Sequence, residues 1–255
     1  MKKLLKKILA LAGYHLQKNQ PAFPPGHPSR PVGNFTQLLQ DLKERGLDCK
    51  QVLDVGANAG HWSGMVNQIF PDASYLLIEP QEEMKAKLEQ LCVIQTNMHF
   101  VLAGAGPKAN EMVLTVWDDL LGTSLLPAPD AALKANNKQR TIPIVTIDGL
   151  LDSGKMKVPE LVKLDIQGFE LEALRGAEKL FGQTEVFILE VSMFAFDGHQ
   201  NQPEFFEVVQ FMFERGYVVY DFPGFGRRPY DGALGQCDIC FVKQNGFLRS
   251  SDRWS

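Results

Sequence analysis

Four acidic residues lie at or near the ends of apolar segments that are long enough to be buried strands. Asp54 lies in VLDVGANAG, Glu79 ends YLLIE, and Asp165 follows LVKL. Glu190 lies near the end of VFILEV. Ligands of open α/β sheets bind outside the carboxyl ends of the strands, and a carboxylate there can accept a hydrogen bond, hold a cation or take a proton. These positions are therefore the candidates for chemistry.

The segment 51–60, QVLDVGANAG, predicts a buried parallel strand, a tight turn and a helix. Gly56 and Gly60 would let the backbone approach a ligand closely, next to the free N–H groups of the helix start. The spacing is G-x-x-x-G rather than the dinucleotide pattern G-x-G-x-x-G, and the Asp54 carboxylate would repel a pyrophosphate. S-adenosylmethionine, with an ammonium and a sulfonium, fits this turn better. The alternative is an ordinary glycine turn in which Asp54 caps the helix.

Two further acids have a functional and a structural interpretation. Glu79 lies 25 residues after Asp54, and an acid at the end of the second strand can accept both hydroxyls of an adenosine ribose. Otherwise it is a surface acid. Lys163 and Asp165, two apart on a strand, share a face. Such a pair is costly at the end of a buried strand unless it is used or paired, so the alternative is a structural contact.

The composition suits one α/β domain and gives no case for nucleic acid. The chain has 255 residues, 45% of them hydrophobic, with a net charge of −4. The four cysteines suggest no disulfide framework, and the CxxC pair lies on a predicted strand whose alternation separates the two thiols, so no metal site is predicted. No apolar run is long enough to span a bilayer.

Residues 1–33 are predicted to form a basic amphipathic leader with a Pro-rich linker, ahead of a domain over 34–255. Within 1–20, leucines and isoleucine face one side of a helix and five lysines face the other. Such a helix can bind an anionic membrane surface or dock on its own protein. The sequence thus favours a cytoplasmic protein, at the inner face of the membrane if the leader binds there. It makes no prediction of oligomeric state.

Alternating strands and helices predict a doubly wound, mostly parallel sheet that ends in an antiparallel hairpin. Asn34 is predicted to cap the first helix of the domain. The loop 118–140 is long enough for a lid or a substrate loop. A single helix is predicted between Gly168 and Gly182, and 222–231 as a connection. The predicted strands after the glycine turn are 75–79, 99–103, 111–117, 161–166, 186–191, 217–220 and 238–242.

The chain resembles the FkbM family of S-adenosylmethionine-dependent methyltransferases. The segments that carry the resemblance are VLDVGANAGHW, YLLIEP, GTSLL, VTIDGLL, LVKLDIQGFELEALRGAEKL, VFILEVS and CDICFV. The resemblance implies a seven-stranded Rossmann-like sheet and methyl transfer, usually to a hydroxyl oxygen of a sugar, glycolipid or polyketide-type product. It implies that Asp165 faces the methionine part of the cofactor and the substrate. The other implied cofactor-binding residues are Asp54, Gly56, Ala57, Asn58, Gly60 and Glu79.

A hydroxyl acceptor must lose a proton, and a carboxylate or an imidazole could take it. The candidates are Asp165 first, then Glu190 and His199. The family pattern K-x-D-x-E-G usually has Glu where this chain has Gln167, and Gln is neither a base nor a good metal ligand.

Two rival functions stay open, a non-catalytic binding protein with a degenerate cofactor pocket and an NAD(P)-dependent oxidoreductase. The acceptor, a small molecule or a glycan, is expected to bind between the 118–140 loop and the segments after the fifth core strand. The basic leader adds the idea of a membrane-associated glycolipid acceptor.

Overall fold

The computed structural model describes residues 32–196 and 202–254 and contains a seven-stranded and a three-stranded sheet. The strands, in chain order, are β1 (Gln51–Val55), β2 (Ser74–Glu79), β3 (Met98–Leu102), β4 (Gly104–Ala105), β5 (Asn110–Thr115), β6 (Gln139–Val145), β7 (Leu161–Leu164), β8 (Val186–Ser192), β9 (Tyr217–Arg227) and β10 (Leu234–Lys243).

The large sheet has the strand order β3-β2-β1-β7-β8-β10-β9. The pairs from β3 to β8 are parallel, and β10 runs antiparallel to both of its neighbours. The predicted doubly wound, mostly parallel seven-stranded sheet is confirmed. Chain connections leave β1 and β7 in opposite directions, and a crevice forms at such a switch point, at the carboxyl ends of the strands.

Helices cover both faces of the sheet. Asn34 caps the first one as predicted, because its side chain accepts a hydrogen bond from the Gln37 N–H at 2.9 Å. The helices are α1 (Phe35–Glu44), α2 (His61–Ile69), α3 (Glu82–Ile94), α4 (Ala131–Ala135), α5 (Ile147–Asp152), α6 (Glu170–Arg175) and α7 (Phe205–Glu214), and two short 3-10 turns lie at Glu178–Leu180 and Phe247–Arg249.

Alternation along the strands divides the core into two layers. Leu53 and Val55 of β1 pack with α5, α6 and α7, whereas Val52 packs on the opposite face with α1, α2 and α3. Cys237 and Cys240 likewise belong to opposite layers. The same alternation places Asp54 on the α2 side of the sheet. A charged residue in this buried layer requires a partner.

The predicted helix between residues 168 and 182 is shorter than expected. The helix α6 ends at Arg175, and only a 3-10 turn follows. A Cβ on Gly176 would lie 2.2 Å from the Gly106 carbonyl oxygen. The chain at Gly176 therefore packs directly on the backbone at Gly106, which leaves no space for a side chain where the predicted helix would continue. The single-helix prediction is therefore wrong, although Leu171 and Leu174 are buried as expected.

The predicted connection 222–231 is also wrong in part, because β9 continues to Arg227. Pro223 is tolerated within this strand for two reasons. The strand β9 lies at the edge of the sheet, and its pairing with β10 shifts register between Asp238 and Cys240. The three-stranded sheet β4-β6-β5, in which β6 pairs with both neighbours, was not predicted as a separate unit, although β5 matches a predicted strand.

The leader prediction lies almost wholly outside the described residues, and the domain boundary at residue 34 stays a prediction. Within 32–196 and 202–254, none of the helices combines the length and apolar character that a bilayer crossing demands.

Candidate functional site

A cavity of about 380 Å³ lies at the carboxyl edge of β2, β1, β7 and β8, at the switch point between β1 and β7. Its volume is within the range of small-molecule sites. Three of its wall residues are acidic, and none of the described wall residues is Lys, Arg or His. The main polar or backbone-forming residues of the wall are Gly56, Asn58, Glu79, Gln81, Gly104, Thr123, Ser124, Asp165, Gln167, Glu190 and Gln236.

Gly56 makes the floor of this cavity through close backbone contact. Its φ is +81°, and its N–H donates to the Ile78 carbonyl at 2.9 Å. A Cβ at this position would lie 1.9 Å from the Asp165 carbonyl oxygen. Only glycine satisfies both the left-handed φ and this approach. The turn after β1 therefore touches the turn after β7. This contact brings Gly56, a predicted cofactor-binding residue, next to Asp165, the first candidate for the proton acceptor.

Glu79 is held rigidly at one end of the cavity. The Asn58 N–H donates to its Oε2 at 2.7 Å, and the Gln81 N–H donates to its Oε1 at 2.9 Å. The residue is 2% exposed, and burial raises the pKa of its carboxyl although these N–H groups oppose the rise. Each oxygen retains a lone pair for a ligand hydroxyl.

Asp165 lies at the other end of the cavity and is paired with Lys163. The Lys163 Nζ lies 2.7 Å from Asp165 Oδ2, which confirms that the two side chains point the same way. The Asp165 side chain is 31% exposed, whereas that of Lys163 is 7% exposed. Burial is the largest influence and acts to raise the pKa of Asp165, but the Lys163 ammonium and the hydrogen bonds from Lys163, Glu190 and Gln167 together outweigh it, so the net shift is downward. Asp165 is therefore ionised and faces the cavity.

Glu190 stands beside Asp165 and is its protonated partner. The Gln167 amide Nε2 donates to Asp165 Oδ1 at 3.0 Å and to Glu190 Oε2 at 2.8 Å. Gln236 donates to the other Glu190 oxygen. Burial, and then repulsion from Asp165, raise the pKa of Glu190 to about 9. At neutral pH the two carboxyls thus share one negative charge and one proton.

This protonated state predicts a pH-dependent stability. The folded protein keeps the Glu190 proton up to a pKa of about 9, whereas the unfolded chain releases it near its ordinary 4.5. Stability from this group is therefore complete below about pH 4.5 and falls as the pH rises towards 9. We expect Glu190→Gln to flatten that fall in the free energy of unfolding, measured by urea denaturation across this range. The exposed Glu89→Gln should keep the wild-type slope, and an unchanged slope in Glu190→Gln would contradict the assignment.

The backbone at Gln167 is held in an unfavourable conformation by its neighbours. Its φ is +55°, and that of Gly168 is +94°. The buried Glu170 carboxylate accepts the Ile166 N–H at 2.8 Å and the Gly168 N–H at 3.3 Å, while Ser124 donates to the Gln167 carbonyl at 2.9 Å. A non-glycine residue in this region costs about 1–3 kcal/mol and persists where surrounding contacts fix it. These contacts hold the Gln167 amide between the two carboxyls.

The GTSLL loop, part of the predicted 118–140 lid or substrate loop, contributes to the wall of the cavity. Ser124 pairs with Thr115 through two backbone hydrogen bonds of 2.9 and 3.1 Å. The Thr123 hydroxyl donates to Gln81 Oε1 at 3.2 Å, and Gln81 Nε2 donates to the Leu120 carbonyl at 3.2 Å. Gln81 therefore joins the loop to the Glu79 end of the site. Neither Gln81 nor Gln236 was predicted, because a glutamine carries no sequence signal of its own.

Three of the predicted cofactor-binding residues lie outside the cavity wall. Asp54 is 1% exposed, and the Ser63 hydroxyl donates to its Oδ2 at 2.6 Å. Burial raises the pKa of Asp54, and Lys163, its register partner on β7, opposes the rise. Ala57 is buried, and a Cβ on Gly60 would lie 2.2 Å from Leu91. These residues shape the turn beneath the cavity.

The predicted residues thus divide into two groups. The structure brings Gly56, Asn58, Glu79, Asp165 and Glu190 into one wall. His199 lies outside the described residues. No group of three or more His, Cys, Asp or Glu with the arrangement of a metal site occurs in the described part of the chain.

Comparison with known proteins identifies a family. A family model described as the methyltransferase FkbM domain matches residues 54–219, which confirms the predicted resemblance. No curated protein sequence matches the chain. The crystal structure of the FkbM methyltransferase from Methylobacillus flagellatus KT is 16% identical, with a TM-score of 0.48, over 75% of this chain and 44% of that one. This chain therefore spans less than half the length of that protein.

Two other solved structures are similarly distant. The precorrin-6y C5,15-methyltransferase of Geobacter metallireducens GS-15 is 11% identical, with a TM-score of 0.45, over 81% of this chain and 86% of that one. An rRNA methylase from Streptococcus thermophilus is 11% identical, with a TM-score of 0.47, over 84% and 99% of the two chains. The fold follows from the strand order of the large sheet and from the family match.

Proposed function

The chain belongs to the methyltransferase FkbM family, and we propose that it transfers a methyl group from S-adenosylmethionine to a hydroxyl oxygen of a small-molecule or glycan acceptor. The observation that carries this proposal is the acid-lined cavity beside the Gly56 turn. Glu79 stands at one end and the ionised Asp165 at the other.

The character of the wall supports a cationic donor over a dinucleotide. Glu79 can accept the two ribose hydroxyls, and the ionised Asp165 favours an ammonium or a sulfonium. A pyrophosphate would face carboxyl groups with no basic side chain among the described wall residues. Ile78, Ala103 and Leu125 supply the apolar surface that an adenine ring requires. The residues present therefore suit S-adenosylmethionine and do not suit NAD(P).

In this proposal the protein supplies position and a proton acceptor. S-adenosylmethionine, when bound, supplies an activated methyl group on its sulfonium. Asp165 accepts the proton that the acceptor hydroxyl loses as its oxygen gains the methyl group, and Gln167 and Lys163 hold the Asp165 carboxylate in place. Glu190, already protonated, keeps the pair from carrying two negative charges. The GTSLL loop forms one wall of the cavity.

Calorimetry and methyl transfer test the proposal against its two rivals. We expect S-adenosylhomocysteine to bind the full chain and NAD to give no heat. Radiolabelled methyl from S-adenosylmethionine should then appear in a component of cell-envelope extracts. Binding of NAD in place of S-adenosylhomocysteine would favour an oxidoreductase. Cofactor binding without label transfer across such extracts would favour a non-catalytic protein whose Gln167 marks a degenerate pocket.

The role of Glu79 predicts a loss of cofactor affinity. Glu79→Gln would replace one carboxylate acceptor by a donor and remove the charge that strengthens both ribose hydrogen bonds. Hydrogen bonds to charged groups contribute about 1.5–3 kcal/mol, so affinity for S-adenosylhomocysteine should fall by about 10- to 100-fold. The exposed Glu89→Gln on α3 removes the same charge elsewhere and should bind normally. Wild-type affinity in Glu79→Gln would refute the ribose role.

A further inference from the structure

A second cavity of about 710 Å³ lies where the turn of the β9–β10 hairpin meets the segment that follows β8. We call it the hairpin cavity. Its wall is formed chiefly by Phe194, Phe196, Arg227, Arg228, Tyr230 and Gln236. It therefore combines aromatic rings with two guanidinium groups, a composition that differs from the acidic wall of the first cavity.

The two cavities meet at Gln236, which lines both. The Gln236 amide donates to Glu190, the protonated partner of Asp165. The hairpin cavity thus adjoins the catalytic end of the first cavity and not its Glu79 end. A molecule bound in the hairpin cavity could extend a hydroxyl past Gln236 towards Asp165. In the proposed function, a methyl acceptor has to reach this end of the first cavity.

The rings of the hairpin cavity are arranged around a fixed arginine. The Arg228 guanidinium carbon lies 4.1 Å from the Phe194 ring centroid and 5.8 Å from that of Tyr230. Asp231 accepts from Arg228 Nε at 2.7 Å and from Nη2 at 2.6 Å, and it also accepts the Ala233 N–H at 2.9 Å. A planar bidentate pair of this kind is geometrically specific. These contacts tie the Arg228 guanidinium to the hairpin turn.

Glycine positions allow close packing at the base of the hairpin. A Cβ on Gly235 would lie 3.3 Å from Arg228 Cβ and 3.5 Å from Phe196. A Cβ on Gly226 would lie 2.8 Å from the Gln236 side chain. Both Cβ-free positions lie in the cavity wall. Backbone thus forms part of the floor, and Tyr230, which is 91% exposed, stands at the rim.

The charge of the hairpin cavity favours an anion. Asp231 neutralises Arg228, but Arg227 is exposed and has no such partner among the described residues. Its Nη1 donates to the Gly232 carbonyl at 2.9 Å, and its Nε and Nη2 make no hydrogen bond with the described part of the chain. Carboxylates and phosphates are the groups that a guanidinium pairs with most specifically. Arg227 is therefore positioned to recognise such a group on the ligand.

We propose that the hairpin cavity binds the methyl acceptor, and that this acceptor is a hydroxyl-bearing ring that carries an anionic group, a carboxylate or a phosphate. The inference rests on the proposed function for the identity of the reacting hydroxyl. The ring stacks against the Tyr230 and Phe194 rings, Arg227 pairs with the anion, and a hydroxyl reaches Asp165 beside Gln236. Arg227 and Tyr230 determine specificity and do not take part in the chemistry.

Binding of simple sugars to the full chain saturated with S-adenosylhomocysteine tests this inference. The probes are glucuronic acid, glucose 6-phosphate and glucose, followed by saturation-transfer NMR titration. We expect at least one anionic sugar to bind about tenfold more tightly than glucose. The stronger of the two identifies carboxylate or phosphate as the recognised group. Equal affinity of all three sugars, or no binding of any, overturns the proposal.

Two surface substitutions separate the roles of charge and ring. Arg227→Gln should remove the preference for the anionic sugar and leave the glucose affinity unchanged. Tyr230→Ser should weaken all three sugars by a similar factor. Arg249→Gln, which removes an exposed arginine outside both cavities, should behave as wild type. If Arg227→Gln keeps the anionic preference, Arg227 is not the recognition group and the inference fails.

The same experiments keep this inference distinct from the proposed function. Affinity for S-adenosylhomocysteine is measured separately by calorimetry on each variant and should not change in Arg227→Gln or Tyr230→Ser. Normal cofactor binding without sugar selectivity would overturn the acceptor site alone. If the wild-type chain does not bind S-adenosylhomocysteine, the proposed function is overturned, whatever the result of the sugar titrations.

Discussion

Gly56→Ala is expected to abolish binding of S-adenosylhomocysteine and to lower the free energy of unfolding by about 3 kcal/mol. Two independent conflicts lead to this result. The left-handed φ of +81° is unfavourable for alanine, and the new Cβ would lie 1.9 Å from the Asp165 carbonyl oxygen. The opposing atom belongs to the backbone, so a side-chain rotation cannot relieve the contact. The turn after β7 would have to move, and Asp165 would move with it.

Gly64→Ala is the matched control for this prediction. Gly64 lies in α2, eight residues along the chain, and a Cβ there would meet nothing within 4 Å. Alanine in a helix interior is about 0.5–1 kcal/mol more favourable than glycine, so Gly64→Ala should be neutral or stabilising. Urea denaturation and calorimetry with S-adenosylhomocysteine measure both variants. Normal affinity in a folded Gly56→Ala protein would show that the contact between the two turns does not form the site.

The part of the site around the Gly56 turn is well predicted from the sequence. The segments around Val55, Glu79 and Asp165 are short apolar runs that end in acidic or glycine residues, and each is predicted from local pattern alone. Parallel strands then bring their carboxyl ends to one edge without further information. The grouping of Glu79, Asp165 and Glu190 therefore follows from strand pattern and strand order.

Asp54 shows where local pattern is insufficient. The sequence shows that its carboxylate is next to the glycine turn. It does not show on which side of the strand the nearest cation lies. Alternation along β1 turns Asp54 towards α2, where the Ser63 hydroxyl donates to its carboxylate. On the neighbouring strand β7, Lys163 is the residue opposite Asp54. Its contribution to a cationic ligand would therefore act at a distance and through Lys163. Burial of this kind depends on tertiary packing that no single segment specifies.

The hairpin and the separate small sheet depend on long-range pairing. Pro223 and the glycines at 224 and 226 predict a connection, yet pairing with β10 extends β9 through them as an edge strand. The strands β4 and β6 pair across about forty residues of chain. Such contacts are set by the packing of distant segments and override local propensity. The sequence therefore did not predict the hairpin cavity, which these contacts build.

Asp165→Asn is expected to lower the rate of methyl transfer by about 10²- to 10⁴-fold, the usual contribution of a positioned proton acceptor. Affinity for S-adenosylhomocysteine should fall by about tenfold, because the charge that faces its ammonium is lost while Glu79 and the Gly56 turn are untouched. The amide would still accept from Gln167 or Lys163, so the fold should persist. Single-turnover transfer of radiolabelled methyl to the acceptor fraction that the wild type labels gives the rate, and calorimetry gives the affinity.

Asp238→Asn tests whether this loss reflects proton transfer or only the charge balance around Lys163. Asp238 lies on β10, attracts Lys163 electrostatically and is absent from the cavity wall, and burial raises its pKa to about 6. Removing its carboxyl changes the same charge cluster without changing the surface that faces the acceptor. We therefore expect Asp238→Asn to transfer methyl within tenfold of the wild-type rate.

If both variants lose activity equally, Lys163 and its neighbours act by holding the turn after β7 in place. If Asp165→Asn alone keeps a near-normal rate with normal affinity, the proton goes elsewhere, and the shared proton of the Asp165–Glu190 pair serves the structure of the site and not its chemistry.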